Sequence, residues 1–328
     1  MTSALVVVGL GMAVAAVPTG NVRYAAPAAL LVPIAPAQPI PATRAERDRV
    51  ARLTLAEPDV GTGPPREVDP DLIETAAEGP LPRVAADGRT PLAHYARPGG
   101  AGCKRACVAV VVTGLGLADR LTERALALPA AVALSFSPYG GAAAWQVRAR
   151  ARGHEVLLDL PLEPANPLDD AGPLTVRAGA DPAATVAALR RALGQGSGYV
   201  AVQAVAGAFA SAPASAAPLT AELRARGLAL VEAGGAALAR PAEASGLPYL
   251  ATTDPIDAEP TPEAIDRSLA EVAAKALLEG RAVALAGALP ASFDRITTWA
   301  DGLPQLGIDL VPPSRLFLQD EAPALAEQ

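Results

Sequence analysis

Two histidines, His94 and His154, and two cysteines, Cys103 and Cys107, are the whole supply of imidazole and thiol groups in this 328-residue chain. Zinc sites draw most of their ligands from those residue types, so a site with two imidazoles would have to bring His94 and His154 together. Acid–base chemistry therefore falls to carboxylates. Asp159, Glu163 and Glu232 stand at or just beyond the ends of apolar runs. An Asp159–Glu232 pair facing one groove, with Glu163 beside it, could move protons or hold a divalent ion through oxygen. The alternative for each acid is a solvated or backbone-capping role. Thr113, Gly114, Ser137, Tyr139, Gln203 and Asp254 are read in the same way as groove-lining residues. No metal or other cofactor is expected, because the donors are too few.

The elements that must position these groups are visible from Cys107 to about Pro312. Apolar runs at 107–112, 132–136, 155–160, 199–205, 228–232, 249–252, 282–286 and 308–311 alternate with helical stretches. Each run is rich in Val, Leu or Ala with little polar alternation, as expected of parallel strands covered on both faces. Helices are expected near 118–128, 141–152, 182–193, 216–226, 261–280 and 291–302. The clearest is 261–280, where Thr261 is a natural N-cap, Pro262 fits N1, and Ile265, Leu269, Val272, Ala276 recur at helical spacing. Regular βα alternation with about eight strands predicts an α/β fold, an irregular parallel barrel of 7–8 strands. In such barrels reactive groups gather at the C-terminal strand ends, which is why the residues above carry the candidate chemistry. His154 opens its strand, at the opposite end, and is expected to be a hydrogen-bonded structural residue.

Residues 18–82 hold 12 of the 33 prolines. The stretch 18–100 is read as a disordered Pro-rich stalk, with a short helix around 44–56. Residues 4–17 are apolar and uncharged, which suits an export signal or a short membrane anchor, so a periplasmic or other extracytoplasmic location is expected. The barrel is assigned 101–316 and the tail 317–328. Cys103 and Cys107 either pair across a tight turn or remain thiols; an extended stretch of that length is too long to bridge. The net charge of −7, without a concentrated basic face, excludes nucleic acid as a partner. Gly114 and Gly116 form neither dinucleotide nor P-loop pattern, which removes nucleotide binding.

The order of motifs carries more. Val-Val-Val-Thr-Gly-Leu-Gly at 110–116, Leu-Ser-Phe-Ser-Pro-Tyr at 134–139, Arg-Gly-His-Glu-Val-Leu-Leu-Asp-Leu-Pro-Leu-Glu-Pro at 152–164, Ala-Gly-Pro-Leu at 171–174 and Gly-Tyr-Val-Ala-Val at 198–202 resemble the divergent polysaccharide deacetylases. Further matches are Arg226-Gly-Leu-Ala-Leu, Gly246-Leu-Pro and the ending from Trp299 to Pro312. Asp87–Pro98 resembles the segment that leads into this domain.

That resemblance implies a distorted barrel acting outside the cytoplasm on acetylated envelope sugars. Its relatives commonly use Asp and His to hold a metal that polarises the acetyl carbonyl and activates a water. The chain departs from the pattern where it matters. An Asp pair that usually ends the first strand is Thr113 and Gly114 here, and a later Asp-Asp-Gly is Glu232-Ala233-Gly234. The expected function is a deacetylase-like protein with a retained glycan-sized groove and weak or lost hydrolysis. Its expected partners are an envelope polysaccharide or peptidoglycan-type glycan and an envelope protein, with the membrane reached only through the N-terminal segment. Two alternatives stand beside it: an active N-deacetylase using Asp159, Glu163 and Glu232, and a non-catalytic protein-interaction module.

Overall fold

The computed structural model describes residues 67–97, Cys103 and residues 105–319. The expected leader at 1–17, the helix at 44–56, most of the stalk and the end of the tail lie outside the described residues.

Part of the stretch read as stalk carries regular structure. Residues 67–97, assigned to the stalk, form an antiparallel hairpin of β1 (Ile73–Ala76) and β2 (Gly79–Pro82), followed by helix α1 (Pro91–Tyr95). The prolines sit where the elements tolerate them. Pro91 opens α1, where an N–H has no helical partner, and Thr90 caps that end by accepting from Ala93 N at 3.2 Å. The two-stranded hairpin leaves Pro80 and Pro82 on edge strands.

Eight strands then build one parallel sheet: β3 (Ala106–Leu115), β4 (Ala133–Phe136), β5 (Val156–Asp159), β6 (Ala201–Val205), β7 (Ala229–Ala233), β8 (Tyr249–Ala251), β9 (Arg281–Ala286) and β10 (Ile308–Leu310). All eight fall on the apolar runs read from sequence. Around them lie α2 (Asp119–Ala125), α3 (Ala142–Ala151), α4 (Pro182–Leu193), α5 (Ala217–Ala225), α6 (Ala239–Ser245), α7 (Pro262–Glu279), α8 (Pro290–Gly302) and α9 (Pro313–Gln319). Helices α6 and α9 were not anticipated; each has only seven residues, too few for a periodic pattern to stand out.

Strands β3 to β8 pair in sequence order, and β9 returns to the free edge of β3, with Cys107 opposite Arg281 and Val112 opposite Ala286. Between β8 and β9 the wall is completed by Ile256, whose N–H donates to Leu285 O at 2.9 Å. Because β9 fills one edge of β3, β4 and β10 share the other. Strand β10 pairs only at Ala106–Val108 and β4 from Val111 onward. The result is a nearly closed parallel barrel.

The sheet separates two apolar layers. Cys107, Ala109, Val111, Ala133, Leu157, Ala201, Ala229, Val231 and Leu285 face the barrel interior, whereas Val108, Val110, Leu134, Leu158, Val202 and Leu230 face the helices. Small interior side chains suit a chain with 3% aromatics. The floor is closed from outside the barrel: Leu72, Leu92 and Tyr95 from the lead-in and Leu316 and Phe317 from α9 join the interior cluster. Cys103 and Cys107 form a disulfide with Cα atoms 5.4 Å apart, tying the lead-in to β3. On the flank, the β1–β2 turn lies so close to the end of α4 that a Cβ on either Gly79 or Gly194 would collide with the other segment's backbone. Arg226, after α5, reinforces that contact by donating to Pro82 O at 2.8 Å and pairing with Glu222 at 2.6 Å and Glu74 at 3.1 Å.

Candidate functional site

At the C-terminal end of β3 the register against β4 slips, with Val112 opposite Leu134 but Leu115 opposite Phe136. The extra residue is a β-bulge at Thr113–Gly114, and Gly114 has φ +77°. Left-handed backbone at a bulge is where glycine is needed, and bulges of this kind re-aim the groups beside them. Here the bulge turns Thr113 Oγ1 and the Gly114 N–H toward Asp159.

Asp159, the last residue of β5, receives both. Thr113 Oγ1 donates to its Oδ1 at 2.7 Å, Gly114 N to its Oδ2 at 2.9 Å, and Ser135 Oγ also donates to Oδ1. The single Thr113 hydroxyl proton is used there, so Gln203 must turn its amide nitrogen to Thr113. In that orientation it donates to Thr113 Oγ1 at 3.0 Å and to Asp159 Oδ1 at 3.3 Å, and accepts from Ala204 N at 3.2 Å. Burial raises the Asp159 pKa above the ordinary carboxylate range, against the opposing pull of Ser135, Thr113 and Gly114. Thr113, Asp159 and Gln203 thus meet in one hydrogen-bonded cluster. Ser135, fully buried, is a site residue that sequence reasoning missed, although its place two residues before Ser137 on an apolar strand was a readable sign.

Glu232 does not join them. Asp159 is in register with Gln203 and Gln203 with Val231, so these three share the inner face; Glu232 is opposite Ala204, on the outer face. It is fully buried there and accepts from Ala237 N at 2.9 Å, Leu238 N at 2.8 Å and Tyr249 Oη at 2.7 Å. Its carboxylate therefore fastens the turn after β7 and the start of β8 from behind the barrel wall. The expected Asp159–Glu232 pair in one groove is not formed. Burial, then the Glu232 carboxylate, drives the Tyr249 phenol pKa well upward.

Glu163 lies beyond β5 and closes its own loop, accepting from Ala178 N at 2.9 Å and facing Arg177 at 3.4 Å. Ser137 N donates to Leu115 O at 2.8 Å, which seats the turn after β4 on the bulge. Tyr139 donates to Ala171 O at 2.6 Å and accepts from Leu174 N at 3.1 Å, with its ring against Gly172; it pins the long loop after β5 beside the mouth. Asp254 is exposed in the loop after β8, near Gly234. One further acid at this end was not anticipated. Asp257, in that same loop, accepts from Gly287 N at 2.8 Å, just beyond β9, and from Ser292 Oγ at 2.6 Å in the first turn of α8.

The histidines are elsewhere. His154 Nδ1 is 2.8 Å from Val132 O and Nε2 3.4 Å from Leu126 O. Burial lowers its pKa, and the closer contact places the ring proton on Nδ1. His94 lies on α1, 3.8 Å from Asp69. Among the described residues no three His, Cys, Asp or Glu side chains converge to hold a metal ion. The metal that related deacetylases use does not fit this donor set: both oxygens of Asp159 are occupied by protein hydrogens, and Thr113 and Gly114 supply no carboxylate.

The sequence model of a family described as divergent polysaccharide deacetylase matches residues 110–317. An uncharacterized protein from Agrobacterium tumefaciens, known as a crystal structure, is similar at 33% identity and a TM-score of 0.69, covering 73% of this chain and 99% of its own. A lactam utilization protein from Thermus thermophilus has 18% identity and a TM-score of 0.40, covering 62% of this chain and 98% of its own. No functionally curated protein matches.

Proposed function

Since the chain belongs to the divergent polysaccharide deacetylase family, we propose that it is a deacetylase-like glycan-binding protein of the cell envelope with weak or lost hydrolysis. The observation that carries this reading is the state of Asp159. Deacetylation by metal-activated water needs free carboxylate or imidazole lone pairs converging on one ion. Asp159 spends its oxygens on Thr113, Ser135 and Gly114 N, and its nearest anticipated partner acid, Glu232, points to the other face. A mouth whose carboxylate is spent in this way supports sugar binding in preference to hydrolysis, since ligand sites need only a few placed polar groups. The Cys103–Cys107 disulfide supports an oxidising, extracytoplasmic compartment.

The test is acetate release from an N-acetylglucosamine tetramer by the purified full chain, with and without added zinc, alongside metal analysis. Background-level release and sub-stoichiometric metal are expected. Chelator-sensitive turnover with one bound metal per chain would refute the reading.

A further inference from the structure

Ten large apolar side chains are exposed among the described residues, and half of them lie at one end of the barrel. Leu289, Leu117, Tyr139, Leu168 and Val205 stand at or beyond the C-terminal ends of β9, β3, β4, β5 and β6. Those five strands are consecutive around the barrel wall, so each successive strand contributes one. Exposure runs from 37% at Leu289 to 90% at Leu168. Single exposed leucines are ordinary, whereas a continuous apolar patch marks an interaction surface.

The loops that carry them touch one another. A Cβ on Gly140 would collide with Gly116 O and lie 3.0 Å from Leu117 N, so the turns after β3 and β4 are in contact. Tyr139 Oη donates to Ala171 O at 2.6 Å, which joins the turn after β4 to the loop after β5. Ala208 N donates to Glu163 O at 2.8 Å, which joins that loop to the one after β6. Val205 follows Gln203 by two residues on β6 and so belongs to the inner face of the strand. The five side chains therefore form a crescent along the rim of the mouth.

Charge states what can cover this crescent. The turns after β3, β4, β6, β7 and β9 hold no charged residue, but Asp169 and Asp170 directly follow Leu168, and Asp181 and Asp254 are exposed in the loops after β5 and β8. Arg177, the one basic residue of those two loops, faces Glu163 at 3.4 Å. A second copy of the chain would bring the same aspartates against these, and an anionic lipid surface would be repelled in the same way. The complementary partner is apolar at its centre and basic at its edge.

We propose that the rim of the barrel mouth is a docking surface for a segment of another protein that presents leucine-type side chains flanked by Lys or Arg. The crescent would cover the apolar side chains, and Asp169 and Asp170 would meet the cations. The proposal goes beyond the glycan reading and does not depend on it, since it uses none of Thr113, Asp159 or Gln203.

Fluorescence anisotropy on the full chain would compare a labelled amphipathic leucine–lysine peptide, its leucine–glutamate counterpart and a lysine-only peptide of the same length. The leucine–lysine peptide is expected to bind at least tenfold tighter than either of the others. Leu117→Ser combined with Leu168→Ser is expected to remove at least tenfold of that affinity without lowering the melting temperature, because both side chains already face solvent. Leu278→Ser is the matched control: Leu278 is 88% exposed near the end of α7, just before β9 begins and so away from the mouth, and its loss is expected to change nothing. Asp169→Asn combined with Asp170→Asn is expected to weaken binding at low salt. Lysine-only peptide binding as tightly as the leucine–lysine peptide, or affinity unchanged in either paired variant, would overturn the proposal. A dimer of the wild-type chain in sedimentation that is lost in the paired leucine variant would overturn it in favour of a second copy, and binding to phosphatidylglycerol vesicles lost in the same variant would overturn it in favour of a lipid surface.

Discussion

Glu155 and Ser314, 159 residues apart in the chain, are joined at the floor of the barrel, where Ser314 N donates to Glu155 Oε2 at 3.0 Å and Ser314 Oγ to Oε1. Arg97 N also donates to Oε1, at 2.8 Å, so one buried carboxylate fastens the lead-in and α9 to the start of β5.

Burial raises the Glu155 pKa above its unfolded value of 4.5, with the Ser314 and Arg97 donors pulling the other way. A folded pKa above the unfolded one means that the contribution is complete below pH 4.5 and is lost as pH climbs through the folded value. Glu155→Gln, which turns an amide N–H against donors, should cost about 1–3 kcal/mol. The stability gap between wild type and variant should be widest near pH 4.5 and shrink toward neutrality. His154 works in the opposite sense, losing stability as pH falls below 6.5 because its pKa is lowered. The difference between the two proteins, measured by urea unfolding from about pH 4.5 to about pH 8, isolates Glu155; a gap that widens with rising pH would refute the assignment.

Asp159→Asn should lower stability by about 1–2 kcal/mol, since one amide oxygen cannot serve Thr113, Ser135 and Gly114 N together. Thermal unfolding at neutral pH checks this. An unchanged melting temperature would mean that the network at the bulge does not hold the end of β3.

Arg226→Ala removes a nearly buried guanidinium shared by Glu222, Glu74 and Pro82 O. Glu222 keeps its contact with the part-exposed Arg190 at 2.8 Å. The expected cost is about 2 kcal/mol, below that of stranding a fully buried charge. Limited proteolysis should show earlier cleavage between residues 67 and 97 than in the barrel; a digestion pattern identical to wild type would count against the docking role.

Opening the Cys103–Cys107 disulfide releases a loop of only five residues, so the loss should be modest, about 2 kcal/mol on a chain-entropy basis. The paired Cys103→Ser, Cys107→Ser variant should remain folded with a lower denaturation midpoint. Complete unfolding on reduction would show that the bond is obligatory.

The strands were legible because parallel strands buried on both faces read as unbroken apolar runs, and the mouth was legible because such barrels present their loops at one end. Glu232 was misjudged for a physical reason: a strand-end acid faces inward or outward according to register, and the register of β7 is set by its pairing with β6. Asp257 lay hidden in a loop whose closure depends on β9, far along the chain. Residues 67–97 were read as stalk because proline count obscures proline position. Leu72, Leu81, Leu92 and Tyr95 are buried between prolines that occupy helix starts and strand edges.

The closed floor bears on where the protein can be cut. The family match begins at residue 110, yet Tyr95, Leu92 and Leu72 seal the lower opening of the cylinder and Cys107 belongs to its lining. A fragment trimmed to the matched segment would expose a greasy bore at one end and be prone to clump, whereas one starting by residue 67 carries its own stopper.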